Sequence, residues 1–190
     1  HFGNNASFIG TNEVARLRAE YQERTQPWTL EELKDVVPQF LTNRLEWKLT
    51  ASHNQKTLTN AVDGDIETRY DTLAVQVNGM WLQVELPEPA TISGVYLDAG
   101  KSVNDYPRQY KVEVSSDGQA WSDSLASGQG NARTTEIRFD PVTTRFVRIT
   151  QTGSVDNKWW SIHELHLLQP PDPAKVAAAR TRKGEGSAFE

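Results

Sequence analysis

The chain has no cysteine and only one methionine among its 190 residues. Without cysteine it forms no disulfide, and thiolate catalysis, Cys-ligated zinc and iron–sulfur clusters are excluded as well. No apolar run approaches the about 20 residues that a membrane-spanning helix requires, so no membrane span is predicted. Basic residues are in the minority, with 20 Lys and Arg against 25 Asp and Glu. The resulting net charge of −5 argues against nucleic acid as a partner.

Aromatic side chains, in contrast, are plentiful, because the chain holds six tryptophans and 9% of its residues are aromatic. Such side chains bury large apolar areas and therefore predict a folded core. The length allows one ordinary domain with appendages. The start at His1-Phe2-Gly3 lacks an initiator methionine and the charged and apolar segments of a signal peptide. We therefore expect a processed chain or a piece of a longer protein.

The first segment, residues 1–45, is predicted to be a helical extension or the tail of a preceding domain. Thr11 or Asn12 can cap a helix that continues to about residue 24 along a narrow apolar stripe. Thr29-Leu30-Glu31-Glu32 then forms a capping box, in which Thr is followed three residues later by Glu. This box predicts a short second helix that stops near Pro38. Two such helices cannot form a domain alone.

From residue 46 to 169 the apolar period changes to two, which predicts β-strands. Leu82, Val84 and Leu86 alternate with polar residues, as do Tyr110, Val112 and Val114 in a later run. Many short strands without intervening helices indicate an all-β sandwich or barrel. Turn signals separate the strands: Asp63-Gly64, Asn78-Gly79, Pro87, Asp117-Gly118, Asp140-Pro141 and Gly153.

The last segment, residues 170–190, is predicted to be a proline-rich exit that leads into a linker. Pro170, Pro171 and Pro173 cannot donate to a sheet ladder and therefore end the strand pattern. A helix is expected over 174–182, and the Gly- and Ser-containing stretch after it is typical of a linker.

A tight acidic turn lies early in the β region, in the sequence Asn60-Ala61-Val62-Asp63-Gly64-Asp65-Ile66-Glu67-Thr68. Carboxylate, hydroxyl and carbonyl oxygens of such a turn can surround a hard cation. A solvated hairpin turn explains the same spacing, so the turn alone leaves both interpretations open.

The motifs along residues 46–169, taken together, resemble the factor V/VIII type C (discoidin) superfamily, nearest to the bacterial carbohydrate-binding module family 32. The resemblance implies a galactose-binding-like jelly-roll β-sandwich, here preceded by a short helical N-terminal extension. It does not cover residues 1–45 or 170–190. The segments that carry it are the acidic turn, Met80–Leu86, Asn104–Pro107, Tyr110–Trp121, Arg145–Ile149 and Trp160–Leu165.

The resemblance further implies one structural calcium ion that joins the acidic turn to the last strand. Independently of the resemblance, Ile162 does not follow the alternation of Leu165 and Leu167, so the backbone is expected to slip phase near His163-Glu164. Transferred position by position, the implied ligands are the Asn60 carbonyl, the Asp63 carboxylate, the Asp65 carbonyl, the Thr68 hydroxyl and carbonyl, the His163 carbonyl and the Glu164 carboxylate.

Sugar recognition is implied at a shallow cleft built from loops 53–58, 71–79, 100–106 and 154–159. Trp160 matches a core position of the family, which leaves Trp159 as the ring free to face solvent. The arginine expected shortly before Asn104 falls at Ala99, where the nearest cation is Lys101. The candidate ligand-binding residues are His53, Asn78, Lys101, Asn104 and Trp159.

The expected function is that of a non-catalytic carbohydrate-binding module in a larger secreted, periplasmic or cell-surface bacterial protein, with neighbouring domains and a polysaccharide or glycan as partners. One alternative is a spacer or protein-interaction module that binds no sugar. A lipid- or protein-binding role would use apolar loop residues such as Leu73, Val75 and Val77. The period-two spacing of the two valines is equally that of a short strand in register, which is the preferred interpretation. A copper enzyme built on His1 is the least supported alternative, and no catalytic residues are predicted.

Overall fold

The computed structural model describes residues 28–183. The chain divides into two compact units, one spanning Pro38–Pro170 and the other made of the segments on either side of it. The helix predicted over residues 11–24 and the linker predicted after residue 183 lie outside the described residues. Within residues 28–183, no helix combines the length and the apolar character that crossing a bilayer requires.

The flanking unit contains two described helices, α1 (Leu30–Val36) and α2 (Pro173–Lys183). The capping box that begins α1 is confirmed, because the Thr29 hydroxyl accepts from the Glu32 N–H and the Glu32 carboxylate accepts from the Thr29 N–H. The C-terminal helix predicted from residue 174 is also present. An ion pair between Lys175 and Asp35, with 3.5 Å between Nζ and Oδ1, links the two helices.

The Pro38–Pro170 unit is all-β, as predicted, apart from two 3-10 helices at Arg44–Glu46 and Gln55–Ala61. The segment 38–45 had been assigned to the helical extension, but it contains a strand, because Phe40 pairs with Leu168 in the last strand. The strands are β1 (Gln39–Phe40), β2 (Lys48–Ala51), β3 (Tyr70–Asp71), β4 (Met80–Asp98), β5 (Gln109–Ser115), β6 (Ala126–Gln129), β7 (Thr134–Gln151), β8 (Ser161–Ile162) and β9 (Glu164–Gln169).

Two prolines that predicted turns instead lie within long strands. Pro87 belongs to β4 and Pro141 to β7, and both strands run continuously through these positions. The β4–β7 register shifts between Glu85 and Ala90, and again between Ile92 and Gly94. Proline lacks an N–H, so a β-bulge that leaves residues unpaired accommodates it without loss of a ladder hydrogen bond. The turn predictions at Pro87 and Asp140-Pro141 are therefore wrong, and these residues mark bends.

The bends turn β4 and β7 back on themselves and so create the two layers of the jelly roll. The early half of β4 pairs with β2 and the late half of β7, whereas its late half pairs with β9 and the early half of β7. The strand order is β1-β9-β4-β7-β5-β6, with β2 also on β4 and with β3 and β8 as a separate pair. One apolar core lies between the layers and includes Leu82, Val84, Val95, Leu97, Ile137, Trp160, Leu165 and Leu167.

This folding-back brings both termini of β4 to one end of the sandwich, which we call the loop end. Met80 pairs there with Gln151, and Asp98 pairs with Thr134. The connections 52–69, 72–79, 99–108, 130–133 and 152–160 consequently leave the strands at the loop end. The predicted phase slip is confirmed nearby, since β8 ends at Ile162, β9 begins at Glu164, and the backbone between them is irregular.

Candidate functional site

The completely buried residue Gln76 fastens three connections of the loop end to one another. Its N–H donates to the Lys158 carbonyl over 2.9 Å, and its own carbonyl accepts from the Val155 N–H over 3.0 Å. Its side-chain Nε2 donates to the carbonyls of Tyr106 and Trp159, at 3.0 and 2.6 Å. These four bonds hold the 72–79, 99–108 and 152–160 connections in fixed relative positions.

The remaining side-chain atom of Gln76 is satisfied as well. Its Oε1 accepts from the Arg108 N–H over 3.1 Å and from Nε2 of Gln151, which is itself completely buried. A buried amide with every donor and acceptor paired rigidifies its surroundings. The Gln76 side chain is therefore a central contact among those that fix the geometry of the loop end.

The side chains around Gln76 alternate between buried and exposed. The polar side chain points inward, while Val75 and Val77 are 40% and 47% exposed. Gln76 forms only an isolated bridge with Val155, so the short strand favoured by the spacing is reduced to one pair. Leu73 is 61% exposed and has a φ of +48°, which turns this apolar side chain outward as well. Leu73, Val75 and Val77 together form what we call the apolar rim.

A cleft of about 410 Å³ opens beside these connections. At its wall the Arg108 guanidinium stacks over the Tyr106 ring, 4.0 Å from the ring centroid, and donates from Nη2 to the Asn104 carbonyl over 2.7 Å. Arg108 was not among the sequence candidates, because nothing in its spacing separates it from an ordinary surface arginine. The lining residues are Tyr106, Arg108, Gln109, Gln129, Gly130, Gly153, Ser154 and Val155.

Three of the five predicted ligand-binding residues lie near this cleft or near its wall. The Asn78 N–H donates to Oγ of Ser154, a lining residue, over 3.2 Å. Asn104 is bonded to Arg108, and Trp159 is held through Gln76 beside Tyr106. Trp159 is 37% exposed.

The assignment of the two neighbouring tryptophans is confirmed. Trp160 is completely buried in the core, whereas Trp159 presents its ring to solvent. An exposed tryptophan that its backbone hydrogen bonds hold in position provides a flat apolar face at little entropic cost.

His53, the fourth candidate, lies in a different part of the loop end. Its Nδ1 is 2.8 Å from the Ser52 hydroxyl, and its carbonyl accepts from the Tyr70 hydroxyl over 3.0 Å. Burial, together with the charge of Asp71, raises the pKa of Tyr70, so this donor remains protonated. None of the His53 hydrogen bonds found in the described chain goes to a residue that lines the cleft.

Lys101, the fifth candidate, is paired with an acid. Its Nζ donates to Glu67 Oε2 over 2.8 Å, and this bond lowers the pKa of the exposed Glu67 carboxyl. A guanidinium nevertheless lies near the buried Ala99. Arg69 donates to the Ser102 hydroxyl over 2.6 Å, and Ser102 itself donates from its N–H to the Ala99 carbonyl. Sequence reasoning missed Arg69, because it lies 30 positions before Ala99 in the chain.

The acidic turn brings three of the predicted cation ligands together. The Thr68 hydroxyl lies 2.8 Å from Asp63 Oδ2 and 3.1 Å from the Asp65 carbonyl. The Asp65 N–H donates to the other Asp63 oxygen over 2.9 Å and so fixes the orientation of the carboxylate. Carboxylate, hydroxyl and carbonyl oxygens thus converge as a hard cation requires.

The other predicted ligands border this turn through hydrogen bonds. Asn60 is the next-to-last residue of the Gln55–Ala61 3-10 helix, and its side-chain amide donates to the Arg69 carbonyl over 3.0 Å. His163 is completely buried, and its Nδ1 lies 2.7 Å from the Ile66 carbonyl in the turn. The imidazole therefore ties the β8–β9 junction to the acidic turn.

Glu164 stands at the start of β9 with its side chain only 9% exposed. Its Oε2 accepts from Nη1 of Arg44, a residue that sequence reasoning did not connect with this site. Its Oε1 is buried and has no hydrogen-bond partner in the described structure. An orphaned carboxylate oxygen together with the oxygens of the turn fits a calcium ion.

The electrostatics beside Glu164 are dominated by Arg44. His166 Nε2 lies 3.9 Å from Glu164 Oε2, but burial and the charge of Arg44 lower the pKa of His166 to about 4. The imidazole is therefore neutral at pH 7. Within residues 28–183 no three acidic or imidazole side chains converge into a metal cluster, so a cation here would depend on carbonyl and hydroxyl oxygens.

A two-layer jelly roll with its connections gathered at one end defines the galactose-binding-like class of β-sandwich domains. The sequence profile of the F5/8 type C domain matches residues 48–165, so the chain belongs to the F5/8 type C (discoidin) family. Mouse neuropilin-1 is 32% identical over a match that covers 36% of this chain and 9% of neuropilin-1. The chain therefore spans only a small part of that relative.

Solved structures with the same fold include several family 32 carbohydrate-binding modules. The module from Clostridium perfringens NanJ, in complex with galactose, has a TM-score of 0.60 and 20% identity, covering 70% of this chain and 100% of that one. Chitosan-binding module 1 of the Paenibacillus sp. IK-5 chitosanase/glucanase has a TM-score of 0.54 at 24% identity, and the match covers 64% of this chain and 94% of that module. The AlyQ module in complex with 4,5-unsaturated mannuronic acid has a TM-score of 0.50 at 28% identity, and the match covers 63% of this chain and 92% of that module.

Proposed function

We propose that this chain is a non-catalytic carbohydrate-binding module that targets a larger protein to a polysaccharide or glycan. The observation that carries the proposal is the exposed Trp159, which Gln76 fastens beside the wall of the loop-end cleft. Family 32 modules in complex with galactose and with 4,5-unsaturated mannuronic acid share its fold, which supports the same general role here.

The chemistry of the cleft suits a sugar. A sugar ring presents C–H groups that pack on an aromatic face and hydroxyls that need oriented donors and acceptors. Trp159, whose carbonyl Gln76 joins to that of the lining residue Tyr106, supplies an exposed aromatic face. Arg108, Gln129 and Ser154 supply polar groups along the cleft. The fork-shaped guanidinium of Arg108 can bridge two adjacent oxygens.

Binding at one shallow cleft is expected to be weak, because desolvation of hydroxyls offsets much of each hydrogen bond. The module would act by raising the local concentration of neighbouring domains on the carbohydrate, without making or breaking bonds. This role places the parent protein outside the cytoplasm, as a secreted, periplasmic or cell-surface protein of a bacterium.

Trp159→Ala is expected to weaken glycan binding by at least about tenfold, because an aromatic anchor at a binding site carries a large share of the affinity. A glycan array with the wild-type chain and the variant measures this directly. Trp121→Ala is the matched control, because Trp121 stacks on Arg148 and follows the C-terminal end of β5, whereas the cleft residue Gln109 lies at the N-terminal end of that strand. Its loss should leave binding unchanged. Absence of wild-type binding, or equal binding by Trp159→Ala, would favour the spacer role.

A second candidate function follows from the apolar rim of Leu73, Val75 and Val77. Three exposed apolar side chains on one loop suit a lipid surface or an apolar protein partner. The net charge of −5 disfavours anionic membranes, so zwitterionic vesicles are the relevant probe. Co-sedimentation with such vesicles that Val75→Ser/Val77→Ser abolishes, combined with an empty glycan array, would favour this function over carbohydrate binding.

For the acidic turn we propose calcium as the bound cation, with a structural role. Asp63, Asp65 and Thr68 present oxygens from the turn, and Oε1 of Glu164 has no hydrogen-bond partner among residues 28–183. An ion held by both parts would connect the early turn to β9 and couple metal binding to the stability of the fold.

A further inference from the structure

We propose that Arg44 is a built-in cation of this site, which neutralises Glu164 when calcium is absent and which calcium must displace in order to bind. The inference rests on the proposed calcium site and concerns the affinity of that site, not carbohydrate recognition. It predicts a fold that keeps its stability without calcium.

The first observation is the contact between Arg44 and the last strand. Nη1 of Arg44 donates to Glu164 Oε2 and also lies 3.2 Å from the Leu165 carbonyl. The two charged side chains are only 18% and 9% exposed, so solvent screens their attraction little. Charge-assisted hydrogen bonds of this kind are among the stronger ones in proteins.

The second observation is the approach of the same guanidinium to the acidic turn. Nη2 of Arg44 lies 3.9 Å from the position that a Cβ would occupy on Gly64, in the middle of the turn. Gly64 has a φ of +84° and no side chain that could push the guanidinium away. Arg44 therefore reaches both the turn and β9, the two parts that a calcium ion would join.

The third observation is that Arg44 satisfies Glu164 only in part. It occupies Oε2, while Oε1 is buried and has no hydrogen-bond partner in the part of the chain that the structure describes. A divalent ion can contact carboxylate oxygens and the turn oxygens together, whereas a guanidinium donates only along its N–H directions. The site thus retains a preference for calcium that Arg44 opposes.

Simultaneous occupancy is unfavourable because the guanidinium and the ion carry charges of the same sign and use the same carboxylate. Calcium therefore binds only the fraction of molecules in which Arg44 has left Glu164. The apparent affinity is reduced in proportion to that fraction. Removing Arg44 should remove this reduction and should also make the fold depend on calcium.

The experiment compares the complete wild-type chain with Arg44→Gln, using calorimetric titration of EDTA-treated protein with calcium chloride and thermal unfolding in calcium or in EDTA. Arg138→Gln is the matched control, since Arg138 forms an exposed ion pair with Glu136 on β7. We expect Arg44→Gln to bind calcium at least about tenfold more tightly than the wild type or the control. We expect it to unfold at a lower temperature in EDTA and to recover in calcium, while the wild type changes little.

Equal calcium affinities for the wild type and Arg44→Gln would overturn the competition and leave the calcium site in place. If calcium bound to neither chain, and Arg44→Gln were equally destabilised in calcium and in EDTA, both the competition and the calcium site would be overturned. If Arg44→Gln does not fold in EDTA, the wild-type chain alone tests the proposal. Tight calcium binding by the wild type, with a large calcium-induced rise in its unfolding temperature, would contradict the proposal that calcium must displace Arg44. Glu164→Gln should abolish the calcium response of either chain.

Discussion

Replacing Gln76 with leucine should lower the free energy of unfolding by about 3–5 kcal/mol, because several buried polar groups lose their partners at once. Leucine keeps most of the volume, so the effect isolates the hydrogen bonds from cavity formation. The atoms left without a partner are the carbonyls of Tyr106 and Trp159, the Arg108 N–H and Nε2 of Gln151.

The same substitution should abolish measurable carbohydrate binding at temperatures where the variant is still folded. The side chain of Gln76 aligns Trp159 with the cleft wall at Tyr106 and Arg108, so its removal should disturb that alignment and with it the site. Urea unfolding and a titration with a glycan identified on the array measure the two effects separately.

Gln119→Leu is the control for this experiment, because Gln119 is exposed beyond β5 at the other end of the sandwich. It should change neither stability nor binding by more than the error of measurement. If Gln76→Leu resembled this control in unfolding, Gln76 would not be the residue that fixes the loop end.

The helix start and the strand pattern could be predicted from the sequence because each depends on residues close together in the chain. The Thr29–Glu32 capping box fixes the start of α1 within four residues, and the two-residue period of β4, β5 and β7 reports burial on one face. The phase slip before Glu164 was visible for the same reason, since Ile162 and Leu165 are both completely buried three positions apart.

The bends at Pro87 and Pro141 could not be predicted from the sequence, because a tight turn and a bulged bend within one strand favour the same residue types. Sequence shows that pairing is interrupted but not whether the same strand continues. The pairing of Glu85 with Phe146, followed by Ala90 with Thr144, supplies this information, and it depends on the partner strand.

The site features that the sequence did not reveal depend on distant contacts. A glutamine between two valines gives no local signal that it is buried, yet the Gln76 amide is buried and pairs with the carbonyls of Tyr106 and Trp159. Arg44 lies 120 positions before Glu164, and no pattern in a single sequence joins them. The family resemblance predicted cation ligands in the turn but not the guanidinium beside them.

The contacts of His163 make Gly100 the second residue at which a small change should have a large effect. Gly100 has a φ of +50°, and a Cβ there would lie 2.7 Å from both Cγ and Nδ1 of the His163 ring. The ring is completely buried and lies within hydrogen-bond distance of the Ile66 carbonyl and the Ser102 hydroxyl, so it has no free direction in which to move.

Gly100→Ala is therefore expected to lower the free energy of unfolding by about 3–5 kcal/mol, the sum of left-handed backbone strain and steric overlap in a packed site. Gly79→Ala is the matched control, because Gly79 also has a positive φ, +97°, but a Cβ there meets nothing within 4 Å. It should lower the free energy of unfolding by only about 1–3 kcal/mol, because a φ of +97° strains the alanine backbone at least as much as +50° does but brings no steric overlap.

The difference between the two variants in urea unfolding isolates the collision with His163. The displaced imidazole should also release the Ile66 carbonyl, so Gly100→Ala in the Arg44→Gln background should lose the calcium-dependent recovery that Gly79→Ala retains. Equal destabilisation by the two alanine substitutions would mean that the His163 ring moves aside with no loss of folding free energy. The link between the β8–β9 junction and the acidic turn would then not be rigid enough to preform a cation site.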